Sequence, residues 1–203
     1  VVWQGEATNR CDGEPIAWKG RIAYGNCDGA IYLFDAENGK LQGSVLVGAE
    51  DQMAGGLLAL ADGRLVAGTR QGNLVVVQAA TLTREALVSF SQSEAFGTPV
   101  EAFGGLIAMG TQEGEVCFWQ SGEKGLQPAG RMSVGGAVNG LLFDGGCLYV
   151  LAGSGVSLFD KVGGSAVARL AIGDEVSGLV AGSGGVLACV ADQAVVCLKG
   201  GCR

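Results

Sequence analysis

One glycine-marked pattern recurs five times along this chain at intervals close to forty residues. Its first three copies have glycine at positions 25, 68 and 110, and the equivalent positions in two weaker copies are Val150 and Cys189. The steps are 43, 42, 40 and 39 residues, and the step from Cys189 past the C-terminus back to Gly25 is again 39. A repeat that closes through its own ends predicts a closed ring, in which neighbouring units share a continuous core.

Each copy contains three clear strand signals and a shorter one ahead of them. In the first copy the apolar segments 22–25, 30–35 and 40–47 are separated by turn residues, which is typical of hairpins. The short run ahead of them starts at Pro15, and proline is tolerated at the start of a strand because its missing N–H costs little there. Four strands per copy, with no room for a helix, predict an all-β, five-bladed β-propeller with four antiparallel strands per blade.

The repeat predicts a single propeller domain over residues 1–203, with blades bounded by the turn residues. The expected blades span residues 12–48, 51–91, 97–135, 136–173 and 174–203 plus 1–8. The fifth copy lacks its fourth strand, whereas an N-terminal strand over residues 1–7 has no place in the first blade. We therefore expect the N-terminal strand to complete the last blade and close the ring, covering strand edges that would otherwise promote aggregation.

The segment from Tyr24 to Lys40, YGNCDGAIYLFDAENGK, resembles the quinoprotein-type (PQQ-like) propeller repeat. It is also similar to WD-repeat blades, with Phe34-Asp35 near the Trp-Asp position, but the chain has no histidine and so lacks the Gly-His of a standard WD blade. The quinoprotein-like resemblance is therefore the closer one, and it implies a binding platform. A quinone site in that family needs a larger propeller and stacking tryptophans. Because Trp3, Trp18 and Trp119 occupy non-equivalent places, we expect no cofactor.

The absence of histidine restricts the possible chemistry. It excludes Ser-His-Asp and Cys-His catalytic devices and histidine-ligated metal sites. The acidic pairs Glu50-Asp51 and Asp174-Glu175 lack the alternation of a calcium loop, so we expect no metal. We expect no enzyme, and the alternative is a glycoside hydrolase or carbohydrate-binding module with acidic residues at the channel mouth. Its candidates are Glu14, Glu101 and Glu175, and it requires these carboxylates to converge.

Acidic residues concentrate on one predicted face of the ring, which combines the loops between blades with the turns between second and third strands. This face has ten acidic and two basic residues, for a formal charge of −8, whereas the opposite face has +2. The sequence therefore predicts a non-catalytic scaffold that binds a basic protein segment. The partner-binding candidates are Asp12, Glu14, Asp28, Glu50, Asp51, Glu113, Asp174, Glu175 and Asp192. Alternatively, the acidic turns only keep the ring soluble.

Several other partners and locations are disfavoured by composition. Nucleic acid is not expected, because binding it needs a concentrated basic patch. Membrane insertion is not expected either, since the longest uncharged stretches, 145–159 and 176–191, have 15 and 16 residues and a spanning helix needs about 20 apolar ones. Seven cysteines without a Cys-x-x-Cys spacing predict free, mostly buried thiols, with Cys202 the most exposed, and a reducing, cytoplasmic location. The chain has no initiator Met, so we expect a processed product or an excised domain.

Overall fold

The protein is an all-β chain in a computed structural model. The structure describes residues 1–203 except 7, 49, 54, 93, 96, 123–124, 173–175, 184, 191–193, 199–201 and 203. The described residues contain nineteen strands and no helix, arranged as five antiparallel sheets. In each sheet the strands pair in sequence order, which is the arrangement of a propeller blade.

The chain divides into two compact units, residues Val1–Pro99 and Val100–Arg203. The first unit contains sheet 1, made of β1 (Ile16–Trp18), β2 (Arg21–Gly25), β3 (Ala30–Asp35) and β4 (Leu41–Leu46), and sheet 2, made of β5 (Leu57–Ala59), β6 (Arg64–Gly68), β7 (Asn73–Gln78) and β8 (Thr83–Ser89). Its core lies between the two sheets. Ala23, Ile31 and Leu33 of sheet 1 pack there with Leu65 and Val75 of sheet 2.

The second unit contains the other three sheets. Sheet 3 consists of β9 (Val100–Ala102), β10 (Leu106–Gly110), β11 (Glu115–Gly122) and β12 (Gly125–Ser133); sheet 4 of β13 (Val138–Asp144), β14 (Cys147–Ala152), β15 (Gly155–Phe159) and β16 (Ala168–Ala171); sheet 5 of β17 (Val176–Gly182), β18 (Gly185–Val190) and β19 (Ala194–Leu198). Phe118, Leu148 and Phe159 are buried between sheets 3 and 4, and Leu151 and Val186 between sheets 4 and 5. The strand positions predicted from the repeat are confirmed for the four strands of sheets 1–4 and for the first three strands of the fifth copy.

A buried polar residue directly follows the second strand of sheets 1, 2 and 3. These residues are Asn26, Thr69 and Thr111, and each is fully buried. The Thr69 amide donates to the Asn73 carbonyl at 3.0 Å, and the Thr69 hydroxyl accepts the Asn73 amide at 3.2 Å. The same pair of bonds joins Thr111 to Glu115. A buried polar group is retained only if it is hydrogen-bonded, so these bonds determine the turn that follows.

The carbonyl of the same residue reaches the chain segment that leads to the next sheet. The Asn26 carbonyl accepts the Met53 amide at 3.2 Å, and the Thr69 carbonyl accepts the Ala95 amide at 3.2 Å. The Thr111 carbonyl accepts the Val138 amide at 3.0 Å. Each buried polar residue therefore stabilises its own turn through its amide and side chain, and binds the following segment through its carbonyl.

The closure predicted for residues 1–7 remains a prediction. Among the described residues, sheet 5 has three strands and positions 1–6 belong to no strand. Within the first unit, the Trp3 indole N–H donates to the Ala36 carbonyl at 2.9 Å, and its ring stacks on Phe34 with centroids 6.3 Å apart.

The expectation of free thiols is wrong for two cysteines. Cys147 of β14 and Cys202 form a disulfide, with Cα atoms 5.3 Å apart. Sequence separation hides this pair, because the fold alone brings position 202 to β14. The other five cysteines form no disulfide, and of these Cys117 is buried whereas Cys11 and Cys197 are exposed. The expectations of mostly buried thiols and of Cys202 as the most exposed one are therefore wrong as well.

The described residues include no helix of the length and apolarity that a membrane-spanning segment would require.

Substituting Gly29 should destabilise the fold. Its φ is +70°, and a Cβ there would lie 2.1 Å from the Asp51 carbonyl oxygen. We expect Gly29→Ala to lower the free energy of unfolding by about 2–4 kcal/mol, because backbone strain and displacement of the neighbouring chain add. Gly122→Ala is the control, since no atom lies within 4 Å of its Cβ position, and it should stay within about 0.5 kcal/mol of wild type. Urea unfolding of both variants checks this, and equal losses would contradict it.

Burial of Cys117 should make stability depend on alkaline pH. Burial raises the pKa of this thiol from 9.0 to about 11. Because the pKa is higher in the folded state, the neutral thiol stabilises the fold fully below pH 9, and this contribution is lost as the pH rises towards 11. Two pKa units correspond to roughly 2–3 kcal/mol.

The matched comparison for this pH dependence is Cys117→Ala. The difference in free energy of unfolding between wild type and variant should shrink by about 2–3 kcal/mol between pH 9 and 11. Other groups titrate equally in both proteins and cancel in the difference. A difference that stays constant over this range would show that Cys117 is not the group responsible.

Candidate interaction surface

The turns and loops at one end of sheets 1 and 2 are joined into a continuous surface, as the repeat predicts for this unit. We call this surface the turn face. It consists of the described residues within 8–14, 26–29, 48–53, 69–72 and 91–95. The Cys27 amide donates to the Arg10 carbonyl at 2.9 Å, and the Arg70 amide donates to the Gln52 carbonyl at 2.8 Å. These main-chain bonds fix the loops relative to the turns, so the side chains of the turn face stand on a defined backbone.

Asp51 is buried beneath this surface and binds its neighbouring turns. It is 3% exposed, and its carboxylate accepts the amides of Gln52 at 2.9 Å and Gln71 at 3.1 Å. It also accepts the Asn73 side-chain amide at 2.9 Å. A carboxylate that is enclosed by three donors supports the turn of sheet 2 and is not accessible to a partner.

Asp12 is shared by two arginines. Arg10 lies 2.8 Å and Arg70 lies 3.8 Å from one of its carboxylate oxygens. Arg70 also lies 3.6 Å from Glu94. The two basic residues that the sequence assigned to this face are therefore both engaged by its own acids, and Asp12 contributes less free negative charge than the sequence suggests.

Asp28 binds the N-terminal segment. Its exposed carboxylate accepts the Thr8 hydroxyl, the Asn9 side-chain amide at 2.7 Å and the Asn26 side-chain amide at 3.2 Å. These hydrogen bonds, led by that from Thr8, hold the pKa of Asp28 below its ordinary range. Asp28 thus stays ionised and anchors residues 8–9 to the turn of sheet 1.

Three candidates keep exposed carboxylates. Glu14 and Glu50 are exposed in the first unit, and Glu113 is exposed in the β10–β11 turn of the second. None of them takes part in the ion pairs of the described residues. Glu50 has a φ of +58°, in a loop whose chain direction is fixed by the neighbouring Asp51. These three carboxylates are the part of the candidate set that a basic segment can reach.

The remaining candidates, Asp174, Glu175 and Asp192, lie outside the described residues. The convergence required for a glycoside hydrolase is therefore not tested. Glu14 belongs to the first unit and Glu101 to the second, and Glu175 is not described.

The part of the chain that the structure describes contains no group of three or more Cys, Asp and Glu side chains that could hold a metal ion.

Sequence reasoning missed an aromatic surface on sheet 1. Ile22 of β2 pairs with Phe34 of β3, and Tyr24 pairs with Tyr32, so these four side chains share one face of the sheet. Trp3 covers Phe34 from the N-terminal segment. The alternation of Tyr32 and Phe34 along β3 could have indicated an aromatic face, but no sequence signal could have placed Trp3 on it.

Comparisons with known proteins identify the fold. No family model matches this sequence, and no curated protein matches it. The chain is similar to the crystal structure of BamB from Moraxella catarrhalis, a PQQ-like β-propeller, with a TM-score of 0.77 and 19% identity over 96% of this chain. The match covers 59% of that BamB chain, so our chain spans about three fifths of its length. At this identity the similarity shows the fold, a β-propeller, and the 1238 matching chains show that the fold is too widespread to specify a function.

Removing the Asp51 carboxylate should cost more stability than removing its exposed neighbour. Asp51→Ala leaves two partly buried main-chain amides and one side-chain amide without their acceptor, so we expect a loss of about 3 kcal/mol. Glu50→Ala is the control, because Glu50 is exposed, and it should change stability by less than about 0.5 kcal/mol. Chemical denaturation of both variants measures the difference. Similar stabilities would show that Asp51 does not hold the turn.

Proposed function

We propose that this chain is a non-catalytic protein-interaction module that binds a basic segment of a partner. The fold supports a binding role, because a propeller of the BamB type presents turns and loops on a rigid array of sheets. Fold similarity alone does not specify the partner, so the partner is inferred from the charges of the turn face.

The single observation that carries the proposal is the unequal use of the acids on this surface. Asp51 is enclosed by hydrogen bonds and Asp12 is paired with arginine. By contrast, Glu14 and Glu50 of the turn face are exposed and outside the ion pairs of the described residues. Glu113 of the second unit is also exposed and outside those ion pairs, and it is a separate candidate. Exposed carboxylates without local cations attract a positively charged segment and raise its association rate.

The proposal includes the finer architecture expected from the repeat. We infer five blades, one from each sheet, with residues 1–7 completing the last blade. The repeat supports this, because its interval continues unchanged across the chain ends. The proposal also places the protein in the cytoplasm, on the support of the five cysteines that are not disulfide-bonded. In that compartment the Cys147–Cys202 bond would be exposed to reduction.

The test is binding of a fluorescent peptide of alternating lysine and serine, measured by anisotropy. A double variant, Glu14→Lys and Glu50→Lys, should weaken binding at least about tenfold, because it reverses the exposed charges of the turn face. Wild-type affinity should also fall as salt rises from about 50 to 200 mM, since exposed charges are screened. A peptide of alternating glutamate and serine should not bind.

The control is a second double variant with the same change in net charge. Glu37→Lys and Glu85→Lys alter exposed residues of the first unit outside the turn face, and affinity should then change less than about threefold. If both double variants lose affinity equally, net charge alone governs binding and the proposed surface is wrong. Wild-type affinity in the first variant would also overturn the proposal.

A further inference from the structure

The N-terminal segment forms a strap across the aromatic face of sheet 1. We define the strap as residues 3–6 and 8–10. At one end the Trp3 indole donates to the Ala36 carbonyl. At the other end Asn9 donates to Asp28, and the Arg10 carbonyl accepts the Cys27 amide. The strap is therefore tied at both ends of the sheet.

Between these ends the strap leaves a cavity of about 250 Å³ over the sheet. Trp3 and Gly5 line it from the strap, and Ile22, Tyr24 and Phe34 line it from the sheet. Gly5 lines this space close to Phe34, since a Cβ added at Gly5 would lie 3.1 Å from the Phe34 ring. A larger residue there would occupy the space or press on Phe34.

The walls of the cavity are apolar, and none of its lining residues is charged at neutral pH. This is unusual for a surface on a chain with a formal charge of −7. Burial raises the pKa of Tyr24 above its ordinary value, in keeping with poorly hydrated surroundings. An apolar cavity of this kind is a poor site for water and a good one for an apolar ring.

Size and wall chemistry define the occupant. The cavity is partly open to solvent, because its lining includes the exposed residues Gly5, Cys11 and Pro15. Its volume of about 250 Å³ exceeds the roughly 150 Å³ of an enclosed cavity that accepts benzene, so it has room for a ring system larger than benzene. The rings of Trp3 and Tyr24 lie within 15° and 14° of parallel to Phe34, which suits stacking against a flat ligand. A charged ligand is disfavoured, because its charge would lose water without gaining a partner.

One polar atom can orient such a ligand. The Tyr24 hydroxyl donates to the Glu6 carbonyl at 3.4 Å, and its oxygen retains acceptor capacity. A ligand N–H can therefore bond to this oxygen while its rings contact Phe34 and Trp3.

We propose that the cavity beneath the strap is a binding site for a small, neutral, planar aromatic molecule of the size of indole. The cavity adjoins Glu14, because Gly13 and Pro15 line it, but no acidic residue lines the cavity itself. Binding of a neutral ligand there does not depend on the proposed docking of a basic segment.

The experiment titrates indole into the full chain by isothermal titration calorimetry, with scanning calorimetry as a second measurement. We expect one site with a Kd of about 0.1–1 mM and a rise in Tm of a few degrees at about 5 mM indole. Indole-3-acetate and tryptamine carry opposite charges, and both should bind at least about tenfold more weakly. An absence of heat together with an unchanged Tm, or equal binding of the charged analogues, would overturn the proposal.

Two variants fill the cavity from opposite walls. Ile22→Trp fills it from the sheet and Gly5→Leu fills it from the strap, so each should weaken indole binding at least about tenfold. Leu46→Trp is the control, because Leu46 is 69% exposed and does not line the cavity, and it should keep wild-type affinity. Circular dichroism identifies which filling variant is folded. A folded filling variant that binds indole like wild type would place the ligand elsewhere and refute the site.

Discussion

In each of sheets 1, 2 and 3, a buried polar residue after the second strand closes the following turn and also binds the segment that leads to the next sheet. Asn26, Thr69 and Thr111 perform this role in sheets 1, 2 and 3. Their carbonyls accept hydrogen bonds in the interior, and an unpaired carbonyl there would cost about 1–3 kcal/mol. The segment after each sheet is therefore held at a fixed place. This constraint brings turns and loops to the same end of sheets 1 and 2 and produces the turn face.

The turn face uses identical residue types for different purposes. Asp51 is enclosed and supports a turn, Asp28 holds the N-terminal strap, and Glu50 is exposed. Formal charge counts all three equally, although only an exposed carboxylate without an internal partner is available to another molecule. The surface left for docking is consequently smaller and more localised than the composition indicates.

The strand pattern could be predicted because glycine and alternation are local signals. The positive φ of Gly29 and the apolar run of β3 are set within a few residues, so the sequence indicates them directly. Pairings over long separations have no such signal. The Cys147–Cys202 disulfide joins residues 55 apart, and the contact of Trp3 with Ala36 joins residues 33 apart; neither could be read from spacing.

By itself the sequence determined the all-β class, the order of the strands within each repeat and the absence of histidine chemistry. Those properties follow from residue type and short-range periodicity. Only the tertiary structure decided that Asp51 is enclosed, that Asp12 is shared by two arginines and that an aromatic cavity lies beneath the strap. Burial and pairing are properties of the surroundings of a side chain, and segments that are distant in sequence supply those surroundings.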